Sequence, residues 1–106
     1  MEFEKDIVVF VPKIVCTKDE LLEFLCLELD FPSYFGFNWD ALLDCLSDFS
    51  WLHVRKITII HEVGFKLKED ELKVYKEILI EAIERSNRFE YPKIEFFFDR
   101  NINESS

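Results

Sequence analysis

A chain of 106 residues suffices for one domain with a core of its own and is too short for several. Its 49% hydrophobic content, with 12 Phe but only 2 Gly and 3 Pro, excludes a disordered or loop-rich chain. A net charge of −9 disfavours direct nucleic-acid binding, which needs Lys and Arg against phosphate, and favours a basic partner whose approach the field would speed.

The chain reads in order as follows. Residues 3–11 contain the run IVVFV, closed by Pro12; a continuous apolar run predicts a strand covered on both faces. Thr17 and Glu20 form a capping box for a helix to about Leu29, with Leu21, Leu22, Phe24, Leu25 and Leu29 inward. Pro32 and Gly36 punctuate a loop, in which Tyr34 and Phe35 crowd together. Asn38 is suited to cap a second helix ending near Ser50, in which Trp39, Leu42, Leu43, Leu46 and Phe49 recur at spacings of three and four. Residues 56–63, KITIIHEV, predict a second buried strand broken by Gly64. The longest helix runs from about Glu69 to Arg85, with Leu72, Tyr75, Ile78, Leu79, Ala82 and Ile83 inward. A turn over 87–92 leads to a third strand, 93–98. Residues 99–106 read as a frayed polar tail on a single domain spanning 1–106.

The order β-α-α-β-α-β predicts an α/β fold, a small three-stranded parallel sheet with helices packed on it. No apolar run approaches the ~20 residues of a membrane span, and the acidic start lacks the features of a secretory signal. Three cysteines without a C-x-x-C pair read as free thiols in a reduced, cytoplasmic protein.

The second helix carries the functional signal. Asp40, Asp44 and Asp48 fall at i, i+4 and i+8, on one face. Like charges so spaced repel by roughly 0.2–0.5 kcal/mol per pair, and only Asp40 lies close enough to the N-terminus for the helix dipole to compensate. Beside an aromatic loop, this stripe reads as a surface for meeting cations; its bland reading is a solvated face. It does not read as a metal site, because carboxylates on one regular helix cannot converge as Ca²⁺ requires. No cofactor motif or catalytic constellation is present. His53 and His61 read as solvated or structural, and Cys45 has no basic neighbour in its motif to activate it.

The residues Pro32, Tyr34, Gly36, Asn38, Asp40-Ala41-Leu42 and Asp44-Cys45-Leu46 form the pattern P-x-Y-x-G-x-N-x-D-A-L-x-D-C-L. It resembles the barstar family of intracellular ribonuclease inhibitors. The resemblance implies a barstar-like fold and the function of an immunity protein, a non-enzymatic monomer that blocks a basic ribonuclease toxin in a 1:1 complex. It implies Asp44 as the main phosphate mimic, supported by Asp40 and by Glu81 on the long helix, with Tyr34 packing beside them. Gly36, Asn38, Leu43 and Asp48 complete the expected partner-binding set. Two departures bear on the partner. Leu43 stands where the family's namesake has Trp, and Asp48-Phe49 where it has Gly-Trp, giving a smaller contact and a more acidic rim. The alternative reading is an acidic domain that binds another basic protein without inhibiting it.

Overall fold

The computed structural model describes residues 6–48, 54–87 and 93–98. Within them lie β1 (Asp6–Val11), α1 (Lys18–Glu28), α2 (Trp39–Ser47), β2 (Lys56–His61), α3 (Glu69–Ser86) and β3 (Lys93–Phe98), the order expected from the sequence. The predicted tail over 99–106, Phe49, Ser50, His53 and most of the turn before β3 lie outside the described residues.

The sheet has the order β1-β2-β3 and is parallel throughout, with Val9 opposite Ile59 and Ile59 opposite Phe96. Alternate residues face the helices, as the pleat requires. Val9, Val11, Ile57, Ile59, His61 and Ile94 are buried on that face. They meet Leu21, Leu22 and Leu25 of α1, Leu42 and Leu46 of α2, and Tyr75, Leu79 and Ala82 of α3 in one core. Of the positions expected inward, Phe24, Leu72 and Ile83 are only partly buried at its margin.

The other face departs from the sequence expectation. Val8 and Phe10 are 63% and 53% exposed, so β1 is not covered on both sides. Its continuous apolar run mimics a doubly buried strand, but the alternating burial of β1 and β2 belongs to a sheet whose helices pack on one layer. Strand β2 is also shorter than predicted. It ends at His61, because Glu62 turns: its carbonyl accepts from the Phe65 amide at 2.8 Å around Gly64, whose φ is +96°.

The helix signals act much as read. Thr17 Oγ1 accepts from the Glu20 amide at 3.1 Å, while the Glu20 carboxylate accepts from the amide of Cys16 rather than of Thr17. At the other end of α1, the Phe31 amide donates to Cys26 O at 3.0 Å around Asp30, at φ +55°. This six-to-one bond closes the helix in a Schellman motif, with Asp where Gly is usual. Helix α3 starts at Lys68 without a side-chain cap; Glu69, Asp70 and Glu71 in its first turn and Arg85 in its last complement its dipole.

Candidate functional site

The loop between α1 and α2 is built on an aromatic column. The Phe35 amide donates to Pro32 O at 3.0 Å, closing a turn that lifts Tyr34 to 82% exposure. Phe35 is 6% exposed, so it belongs to the core and not to the aromatic surface expected from its place beside Tyr34. Its ring lies 4.8 Å from Phe31 on one side and 4.8 Å from Phe37 on the other.

Asn38 caps α2 with extended backbone, its Oδ1 accepting from the Ala41 amide at 2.7 Å. Its Nδ2 donates back to Gly36 O at 3.3 Å. A Cβ at Gly36 would stand 3.1 Å from that nitrogen, so glycine gives the cap its space. Gly36 and Asn38, both expected at the partner surface, are exposed and also serve the chain internally, because together they fix where α2 begins.

Asp40 and Asp44 project from α2 one turn apart, a rise of about 6 Å along the axis. Both are exposed, and among the described residues neither has a hydrogen-bond or ion-pair partner. Asp48 does not extend their stripe. The helix ends at Ser47, short of the predicted Ser50, and Asp48 is its C-cap with φ −144° and ψ 97°. The backbone has already left the helix there, so the i+8 spacing no longer sets the side chain on the same face.

Leu43 is half-buried at the edge of the core. Trp39 is half-buried too; its ring stacks 6.2 Å from Tyr75 of α3, with Lys18 Nζ 5.3 Å from its centroid. Cys45 is buried, and burial, with the charge of Asp44, pushes its thiol up to about 11. That thiol is protonated and inert at neutral pH, as its apolar flanks suggested. Helix α3 packs against α2 and carries Glu81, exposed and paired with Arg85 at 2.9 Å. Glu81 thus reaches solvent carrying a cation one turn along its own helix.

One prominent residue of this surface escapes the sequence reading. Phe37 is 51% exposed and holds φ at +54°, the left-handed region that a bulky side chain avoids. Gly36, the residue one would choose for that conformation, does not take it. Only the mismatch between a Gly and the neighbouring Phe could have signalled this, and the sequence does not show which of the two turns left-handed.

No group of three or more His, Cys, Asp or Glu that could hold a metal occurs among the described residues. Among them, too, no helix is long and apolar enough to cross a membrane. Among curated proteins, no sequence matches this chain. The family model described as Barstar (barnase inhibitor) does match, over residues 7–98. That match runs from β1 to the end of β3 and includes the whole loop and acidic helix, so the chain belongs to the barstar family.

Proposed function

We propose that this protein inhibits a basic ribonuclease of the barnase kind by placing Asp40 and Asp44 where the enzyme would bind RNA phosphates. The observation that carries the reading is the state of those two carboxylates. They are exposed on a capped helix, and no cation of the described chain engages them. Their acceptor capacity is therefore free for a partner. A ribonuclease must line its cleft with Arg, Lys and His to hold phosphate. Carboxylates on a rigid helix meet such groups in short, charge-assisted hydrogen bonds and offer no bond to cleave. Tyr34 packs against the enzyme beside them, and Leu43 and Gly36 line the contact. Asp48 adds charge at the rim. Glu81 joins by exchanging Arg85 for a cation of the partner; an exposed pair of this type costs little to break.

In this reading the protein acts as a one-domain monomer in the producing cell's cytoplasm, binds 1:1, and keeps a toxin silent until it is released. It catalyses nothing itself.

Inhibition of barnase-catalysed RNA cleavage tests the proposal. The parent protein is expected to abolish cleavage at a 1:1 ratio. Asp44→Ala should weaken the complex by about 2–5 kcal/mol, a range drawn in part from this family's own complex. Asp48→Ala should cost well under 1 kcal/mol, as rim charges do. Equal, small losses at Asp40, Asp44 and Asp48, with binding dispersed by moderate salt, would instead indicate a non-inhibitory acidic domain for another basic protein.

A further inference from the structure

On the inhibitor reading above, we propose that Phe37 is a specificity-determining anchor, docking on an apolar shelf of the ribonuclease beside its phosphate-binding cations.

Three observations carry this. The Phe37 ring is 51% exposed although the residue sits at φ +54°, where a bulky side chain is costly and Gly or Asn would be cheap. The contact with Phe35 repays that cost only in part, because half of the residue stays exposed, so the outlier points to a use outside the chain. Next, the ring is braced. It lies edge-on to Phe35 at 4.8 Å and 62°, and Phe35 rests on Phe31 at 4.8 Å, both buried. A braced aromatic with two side-chain torsions loses little freedom on docking, which is the property of an anchor. Finally, Phe37 immediately precedes the Asn38 cap and lies three residues from Asp40, with Tyr34 82% exposed on the same loop. Phe37 thus adjoins the start of the acidic helix along the chain, and an enzyme that meets both must be apolar where Phe37 lands and cationic where Asp40 and Asp44 lie. This is a more restrictive demand than acidic charge alone makes, and it separates one ribonuclease from another with an equally basic cleft.

The test uses barnase and four proteins: the parent, Phe37→Asn, Phe37→Tyr and Asp44→Ala. Asn favours the left-handed backbone, so Phe37→Asn removes the ring and keeps the loop. Its thermal midpoint should stay within a few degrees of the parent's, while its inhibition constant rises roughly tenfold or more, the scale of a lost aromatic anchor. Phe37→Tyr should retain inhibition within about threefold, since it keeps the ring. If Phe37→Asn inhibits like the parent while Asp44→Ala does not, the anchor is overturned and the inhibitor reading stands. If Phe37→Asn loses its midpoint together with inhibition, and Phe37→Tyr restores both, the ring serves the fold and the anchor is again overturned. If Asp44→Ala inhibits like the parent, or the parent leaves barnase untouched, the inhibitor reading itself falls and takes the anchor with it.

Discussion

At the scale of single residues, the most constrained polar group is His61. It is 1% exposed, its Nδ1 lies 2.8 Å from Phe97 O and its Nε2 2.8 Å from the Tyr75 hydroxyl. A carbonyl can only accept, so Nδ1 carries the proton and Nε2 accepts from Tyr75. The Phe98 ring stacks on the imidazole at 4.0 Å. Burial lowers the pKa of His61 to about 4; the Phe97 carbonyl opposes this and the charge of Lys76 adds to it. The sign follows directly. Between the unfolded value, 6.5, and about 4, the unfolded chain binds the proton and the folded one does not. The contribution is fully present above 6.5 and is lost as pH falls toward 4, on the order of 3 kcal/mol in all. Urea unfolding of the parent at a series of pH values from 7 to 4 should therefore show a slope that His61→Gln lacks. Tyr75→Phe leaves Nε2 without a donor in a buried site and should cost about 1–3 kcal/mol at neutral pH, measured the same way. The sequence placed His61 at the end of a strand and suggested a structural or solvated role. Its partners come from α3 and β3, and a linear pattern does not show which side chains three elements bring together.

At the scale of elements, helix ends were legible because capping is local. Thr17 and Asn38 cap where their spacing put them, whereas the start of α3 was poorly marked in the sequence and carries no side-chain cap. Asn38→Ala should destabilise the fold by about 1 kcal/mol, and inhibition should fall further than that loss of stability explains, because the same cap aims Asp40. Comparison of a denaturation curve with a barnase titration on the same variant checks both. The end of α1 offers the opposite case. Asp30 occupies a left-handed position at φ +55°, and Asp30→Gly should stabilise the protein by roughly 0.5 kcal/mol, read as a higher midpoint of urea unfolding. The end of α2 was not legible. Residues 47–49 keep an acceptable helical pattern, and the chain leaves the helix at Asp48 without Gly or Pro to announce it. The backbone of the candidate site was therefore readable where it is helical, at Asp40 and Asp44; at Asp48 the helical spacing was carried one residue past the helix end, and the left-handed Phe37 was not read at all.

At the scale of the whole molecule, element order and parallel pairing followed from three apolar runs separated by helical periods, and no residue-level detail was needed. The sidedness of the sheet was not available, since IVVFV reads the same whether one layer or two covers it. The charge also belongs to this scale. Steering by −9 should make association with barnase fall by roughly an order of magnitude between about 0.05 M and about 0.5 M salt, while dissociation changes little; stopped-flow mixing separates the two rates. The uncovered side of the sheet has a consequence for how the protein behaves in bulk. Val8 and Phe10 on β1 lie beside Thr58 and Ile60 of β2, and Phe97 continues the second row on β3. That leaves apolar side chains on an outward layer of a small molecule, where mutual repulsion between copies keeps them apart. Near the isoelectric point, about 4.7, the repulsion vanishes. On the proposed function, the charge that would meet a basic enzyme is also colloidal protection for this face, and acidification is expected to remove both together.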